Sequence, residues 1–214
     1  MAKQKPLYMR ASPTLQMIVA SLLFFVSMQL SRGKTLPQWE SNVFNFFYGL
    51  PEQLYPFFYI ATQFGSIYVL GALLLIYLFR QHYHVVLRLL LTGTLSYLLA
   101  GFAKGIWGRA RPEEFLTDII TLDVTQGPGF PSGHTALAVA LALTVGHYLK
   151  RQYHWIVFVW IILVGISRMY LGVHLPLDIV GGLAVGWFSY AIFRHVRIYD
   201  IARRKHPSKL TEYK

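Results

Sequence analysis

Long apolar runs separated by short polar stretches dominate this chain. A bilayer span needs about 20 mostly apolar residues, and six runs come near that length: 14–30, 55–79, 86–103, 133–149, 155–173 and 177–193. An aromatic segment at 37–52 is too broken to span the bilayer. It is expected to form either an interfacial helix on the outer face or a plain loop. The pattern predicts an all-α fold: an integral membrane bundle of six transmembrane helices forming a single domain, residues 1–214.

Composition agrees with this prediction. Hydrophobic residues make up 55% of the 214 positions and charged residues only 14%, against roughly 25% charged in soluble domains. The absence of cysteine excludes disulfides and thiolate metal sites. The net charge of +11 indicates cytoplasmic loops and lipid headgroups as partners. No nucleic-acid-binding motif is present, so no nucleic acid is expected as a partner.

Basic residues predict the orientation, because cytoplasmic loops carry the excess of Lys and Arg. They cluster at 3–10, at Arg80 and Arg88, at Lys150 and Arg151, and in a basic tail at 194–214. We therefore expect a multi-pass plasma (inner) membrane protein with both termini in the cytoplasm. The tail is expected to lie along anionic lipid.

Three polar clusters interrupt the apolar sequence, and all of them fall on the outer face if six spans are counted. They are Lys104-x6-Arg111-Pro112, Pro131-Ser132-Gly133-His134 and Ser167-Arg168-x5-His174-x3-Asp178. Titratable groups within membrane segments are costly, so they are functional candidates by default. Cations, two histidines, a serine and a carboxylate together suit phosphoryl transfer through a histidine, with no metal required.

The first cluster offers two cations at a helix end. Lys104 and Arg111 are seven residues apart and share a face if both are helical. Pro112 disfavours helix at the preceding residue, so the helix is expected to end near Arg111. Basic side chains that snorkel at a membrane boundary are the alternative.

The second cluster resembles the start of a helix. Pro131 suits the first helical position, which would leave the N–H groups of Ser132, Gly133 and His134 free to bind an anion. The Ser132 hydroxyl could donate one more bond. The alternative is an ordinary helix cap, which explains Ser132 but not His134.

The third cluster pairs a histidine with an acid across a helix start. If Pro176 begins the helix, Asp178 occupies its third position and can reach back to His174. That bond would fix the imidazole tautomer and leave the other nitrogen free as a nucleophile. Arg168 adds a planar fork that matches phosphate oxygens. A capping Asp beside an interfacial His is the alternative.

These residues resemble the three motifs of the type-2 phosphatidic acid phosphatase superfamily of membrane lipid phosphatases, at every fixed position between 104 and 178. The resemblance implies a helical core like that of vanadium haloperoxidases and no metal or other cofactor. It implies that His174 attacks phosphorus, that Asp178 orients His174, and that His134 protonates the leaving oxygen. Phosphoryl oxygens would be held by Lys104, Arg111, Ser132, Gly133 and Arg168.

The substrate expected from this resemblance is a lipid phosphate or diphosphate at the outer leaflet, with undecaprenyl diphosphate favoured. Phosphatidylglycerophosphate, phosphatidic acid and a lipid A phosphate stay open, as do a phosphotransferase and a non-catalytic lipid-binding protein. The sequence leaves the oligomeric state open, a monomer included. Arg109 could bind a second phosphate or face solvent, and solvent is slightly favoured. The acidic residues between 113 and 123 could steer substrate or pair with Arg109.

Overall fold

The structure is a computed structural model that describes residues 10–33, 35–123 and 126–195. Lys3, Lys5 and most of the basic tail, from residue 196 onward, lie outside the described residues. Nine α-helices occur in the described parts: α1 (Pro13–Leu30), α2 (Gln38–Tyr48), α3 (Tyr55–Gln63), α4 (Ile67–Phe79), α5 (Tyr83–Trp107), α6 (Pro112–Phe115), α7 (Gly133–Gly146), α8 (His154–Tyr170) and α9 (Pro176–His195). Short 3₁₀ turns precede α3 (Glu52–Leu54) and α8 (Arg151–Tyr153). The prediction of an all-helical protein is confirmed for these residues, which contain no strand.

The six-span count is not confirmed. Within the described residues, four helical segments are long and apolar enough to cross a bilayer: Pro13–Leu30, Tyr83–Phe115, Arg151–Tyr170 and Pro176–His195. A fifth span is obtained if Glu52–Gln63 and Ile67–Phe79, which meet at a 54° bend, count as one. The remaining predicted span, 133–149, forms only the 14-residue α7, about 21 Å long at 1.5 Å per residue.

Helix α7 lies at the centre of the bundle. All of its residues except Gly133, His134 and Val145 are buried, and α5, α8 and α9 pack around it. Two glycines of α9 let that helix approach closely, because a Cβ at Gly182 would lie 2.5 Å from the Ser132 carbonyl oxygen and Gly186 similarly faces Ala136. This close packing brings the N-termini of α7 and α9 side by side.

The aromatic segment at 37–52 forms a helix, α2, so the alternative of a plain loop is wrong for residues 38–48. Phe44 is buried against Met169 and Leu175, while Trp39 and Phe46 are exposed on the opposite side. This amphipathic arrangement turns Glu40, which shares the buried face, into the interior of the bundle.

Helix α5 ends earlier than the sequence predicts. Gly108 adopts a left-handed conformation, with φ of 59°, and terminates the helix after Trp107, as glycine commonly does at C-termini. Arg111 therefore does not share a helix face with Lys104, and it precedes the short α6 as its N-cap residue. The two cations still reach one site, because the chain turns back after Gly108.

Candidate active site

A cavity of about 540 Å³ lies between the bent α3–α4 pair, α5, α7 and α8. Its wall contains six of the eight predicted site residues: Lys104, Arg111, Gly133, His134, Arg168 and His174. All three sequence clusters thus meet at one cavity. Ser132 and Asp178 do not line it, since both are fully buried behind the wall.

Arg168 supplies the most notable donors of the cavity. The residue is fully buried, and its Nη1 donates to Thr62 Oγ1 at 2.7 Å and to Asp123 Oδ2 at 2.6 Å. Its Nε and Nη2 atoms have no hydrogen-bond partner among the described residues. A buried guanidinium with two unused donors is costly, and an anion bound against Arg168 would offset that cost.

Lys104 and Arg111 hold the loop that precedes α7. Lys104 Nζ donates to the carbonyl oxygens of Pro128 at 2.5 Å and Gly129 at 3.3 Å. Arg111 donates to the carbonyls of Gln126, Gly127 and Val173. These contacts fix both cations on the cavity wall.

The N-terminus of α7 opens into the same cavity. Gly133 is its first residue, and a Cβ added there would meet no atom within 4 Å. The Gly133 and His134 N–H groups lie in the first turn, where a helix offers no carbonyl partner. This arrangement is typical of an anion site.

Two details at this helix start differ from the sequence prediction. Pro131 lies before the cap residue, and the first helical position belongs to Gly133. The Ser132 N–H is not free, because it donates to the Asp178 carbonyl oxygen at 2.9 Å. The Ser132 hydroxyl oxygen accepts from the Thr135 N–H and hydroxyl. Ser132 thus occupies the capping position that the sequence left as the alternative.

The predicted contact between His174 and Asp178 is present. Pro176 begins α9, and Asp178 reaches back over that start: its Oδ2 lies 3.3 Å from His174 Nδ1 and accepts from the Leu175 N–H at 3.0 Å. With a proton on Nδ1 donated to Asp178, the Nε2 atom carries the free lone pair.

The environment keeps His174 neutral. Burial lowers the pKa of His174 to about 3, and the adjacent Asp178 carboxylate offsets only part of that effect. A neutral imidazole is the form that can act as a nucleophile.

Arg109 is buried, so the expectation that it faces solvent is wrong. Its Nη1 donates to Asp178 Oδ1 at 2.8 Å, and its Nη2 donates to Glu40 Oε2 at 2.7 Å. These partners also exclude the idea that the acidic loop at 113–123 pairs with Arg109. Among these acidic residues, Glu114 instead accepts a hydrogen bond from the Arg111 N–H, and Asp123 forms an ion pair with Arg168.

Sequence reasoning missed Glu40 and Thr62 as members of this site, and it considered Asp123 only as one of the acidic residues that could steer substrate or pair with Arg109. Glu40 did carry a signal, since a lone carboxylate among aromatic residues is expensive to bury unless it is paired. Thr62 carried none. No group of three or more His, Asp or Glu side chains in the described part of the chain is arranged to hold a metal ion.

Comparison with known proteins agrees with this geometry. The sequence profile of the PAP2 superfamily matches residues 85–201, and the chain belongs to that superfamily. It is 29% identical to a lipid A 4′-phosphatase of Porphyromonas gingivalis over 74% of either chain. It is 30% identical to an undecaprenyl-diphosphatase of Sulfolobus acidocaldarius over 60% of this chain and 64% of that protein.

A solved structure supports the fold over nearly the whole chain. The crystal structure of a transmembrane PAP2-type phosphatidylglycerolphosphate phosphatase from Bacillus subtilis superposes with a TM-score of 0.70. The superposition covers 93% of this chain and 99% of the Bacillus subtilis chain, and the two sequences are 22% identical. This likeness shows the all-helical fold, while the superfamily match and the named relatives make the protein a membrane hydrolase of the lipid phosphatase class that acts on phosphate esters or diphosphates.

Proposed function

We propose that this chain removes the terminal phosphate of undecaprenyl diphosphate through a phosphohistidine on His174. The observation that carries the proposal is the pair of unsatisfied, buried donors of Arg168, a residue that lines the same cavity as His174 and His134. Such donors are suited to phosphoryl oxygens. Neutral His174, braced by Asp178, is suited to attack.

The reaction proceeds in two steps. His174 Nε2 forms a bond to the terminal phosphorus, and the bond from phosphorus to the bridging oxygen breaks. His134 enters this step as an imidazolium, which the bound diphosphate stabilises, and gives one of its two ring protons to the bridging oxygen. Water then attacks the phosphohistidine, His134 takes up the proton from water, and the N–P bond breaks to release inorganic phosphate. Lys104, Arg111, Arg168 and the Gly133 N–H stabilise the charge on the equatorial oxygens. These fixed donors take the place of a metal ion, so no cofactor is required.

Charge on the wall supports a substrate that carries a phosphate or diphosphate group. Lys104, Arg111 and Arg168 face the cavity together with one carboxylate, Asp123, which leaves a net charge of +2. The cavity therefore suits an anionic phosphate or diphosphate headgroup that contacts more than one cation.

Tyrosines at the mouth support a lipid substrate. Tyr68 and Tyr97 line the cavity and are 79% and 61% exposed. Tyrosine is enriched where membrane meets water, so the headgroup can reach the cations while the tail stays in the bilayer.

Purified protein in detergent and EDTA tests the proposal on four substrates: undecaprenyl diphosphate, phosphatidylglycerophosphate, phosphatidic acid and lipid A. We expect undecaprenyl diphosphate to give the highest kcat/KM, by about tenfold, or about 1.4 kcal/mol of transition-state binding. His174→Ala should lower turnover by at least about 10⁴-fold, and His195→Ala, an exposed residue at the far end of α9, should not. Preference for another lipid contradicts the substrate, and equal activity of His174→Ala contradicts the nucleophile.

The same panel separates a hydrolase from a phosphotransferase. With the terminal phosphate radiolabelled, hydrolysis leaves the label in free phosphate. Label recovered in a second lipid would contradict hydrolysis and support transfer.

The proposal includes a site at the outer leaflet and both termini in the cytoplasm. The absence of cysteine makes this directly testable with Glu113→Cys, near the cavity, and Lys150→Cys, beyond the opposite end of α7; both positions are exposed. In intact cells, a membrane-impermeant thiol reagent should label only Glu113→Cys. Labelling of Lys150→Cys alone would reverse the orientation.

A further inference from the structure

We propose that Glu40 and Arg109 are positioning residues for the reaction, acting on His174 through Asp178. Arg109 occupies a variable position of the first motif, whereas Glu40 lies outside all three motifs and outside the matched range 85–201. The inference rests on the proposed function, because it concerns the same nucleophile. It extends the site to α2, which sequence reasoning treated as an interfacial segment.

Arg109 bridges two buried carboxylates. Its Nη1 lies 2.8 Å from Asp178 Oδ1 and 3.1 Å from Glu40 Oε1, and its Nη2 lies 2.7 Å from Glu40 Oε2. The fork therefore grips Glu40 with both nitrogens while it holds the Asp178 oxygen that does not face the imidazole. Only one oxygen of Asp178 is left to orient His174.

Glu40 also holds the helix on which Asp178 lies. Its Oε1 accepts from the Leu177 N–H at 3.0 Å, one of the first-turn donors that α9 itself cannot satisfy. Through Glu40, α2 is tied at one point to both Arg109 and the start of α9. The carboxylate of Asp178 and the backbone that carries it are thus fixed by the same side chain.

The charges explain why two acids are needed. Attack through Nε2 turns the neutral His174 ring into a cationic one, which a net negative charge behind it stabilises. Arg109 alone would cancel the charge of Asp178. With Glu40 added, the three groups retain a net charge of −1, and Arg109 forms an ion pair with each of the two carboxylates.

The first turnover of phosphorylation on His174 tests this inference, with the complete protein mixed with a saturating excess of terminally labelled undecaprenyl diphosphate. The rate constant of such a reaction does not depend on the fraction of misfolded enzyme, which changes only the amplitude. A residue that merely supports the fold would therefore lower the amplitude and leave the rate constant unchanged.

We expect Glu40→Gln to lower the rate constant by about 10- to 100-fold, as for other partners that orient a reactive imidazole, with KM changed by less than about twofold. Glu52→Gln is the matched control, since it removes the same charge at an exposed position. Arg109→Lys is a second variant that keeps the charge but loses the fork, and we expect a loss of about tenfold or more.

A wild-type rate constant in either Glu40→Gln or Arg109→Lys would overturn the inference. Failure of the proposed function gives a different result, because wild-type protein would then acquire no label on His174. Normal labelling of wild type with unchanged variants overturns the positioning role alone.

Discussion

Two helix N-termini meet at the site, and they differ in whether protein carboxylates bind their first N–H groups. Helix α7 begins with Gly133 and has no acid in its first turn. Helix α9 begins with Pro176 and has two buried carboxylates on its first N–H groups, Asp178 on Leu175 and Glu40 on Leu177. The partial positive charge of a helix start attracts anions. In α9 the protein supplies those anions itself, whereas in α7 the place is open to the substrate.

The two helix starts therefore have different tasks at the same site. The α7 end can bind a phosphoryl group, because nothing of the described protein occupies the space beside Gly133. The α9 end cannot bind one, but its carboxylates orient His174 and hold negative charge behind it. Substitutions at the two ends should therefore fail in distinguishable ways.

Asp178→Asn should give the largest effect. The amide can present the wrong partner to His174 Nδ1, and the analogous change in a serine protease triad lowers kcat about 10⁴-fold. We expect a loss of that order in kcat, measured as phosphate release. Asp118→Asn is the matched control, because Asp118 is exposed and asparagine tolerates its positive φ of 64°. A loss of less than tenfold would contradict the role of the α9 end.

Gly133→Ala should weaken the reaction without weakening the fold. The new methyl group meets no protein atom within 4 Å, so it enters the space where we propose that the phosphoryl group binds. A displacement of about 1 Å can cost about 10²-fold, and we expect a loss of that order in kcat/KM with an equal or higher Tm.

Gly105→Ala provides the control for this substitution, since Gly105 is an exposed glycine of α5 that also has open space around it. It should leave kcat/KM unchanged. If Gly133→Ala were equally silent, the α7 N-terminus would not be the phosphate site.

Acidification should destabilise the α9 end through His174. In the folded protein burial lowers the pKa of His174 to about 3, while the unfolded chain takes up that proton near pH 6.5. Stability is therefore fully present above pH 6.5 and is lost as pH falls towards 3, by about 1.4 kcal/mol per pH unit. Denaturation in mixed detergents should show a shallower pH dependence for His174→Asn, and an identical slope would contradict the neutral state of His174.

Ser132→Ala should give the smallest effect on activity. As a helix cap, Ser132 contributes about 1 kcal/mol to stability, and its loss should lower kcat/KM by less than about tenfold. Ser12→Ala removes a similar cap from α1, far from the cavity, and should lower Tm comparably. A loss above 100-fold for Ser132→Ala alone would mean that the hydroxyl contacts the phosphate directly.

Local features of the site could be predicted from sequence, because their partners lie within a few residues. Asp178 reaches His174 across Pro176, and this geometry follows from the helix start alone. The capping option for Ser132 was visible for the same reason.

Features that depend on distant partners could not be predicted. Arg109 contacts Glu40 and Asp178, each 69 residues away in sequence, so its burial was invisible in the motif. The Ser132 N–H is taken by Asp178 only because glycines bring α9 against α7. Gly108 adopts a left-handed conformation, which ends the helix of Lys104 before it reaches Arg111. Glycine allows this conformation but does not require it. The count of spans was uncertain because α7, surrounded by protein, is apolar without having to cross a bilayer.

The most direct test of the account is the position of the phosphoryl group on the trapped intermediate. Trypsin separates the two candidate histidines, since residues 169–194 contain His174 alone, whereas the fragment 110–150 contains His134 and His147. After quenching under alkaline conditions, the account predicts acid-labile label in the fragment 169–194. Label in 110–150, or none in either fragment during turnover, would contradict it.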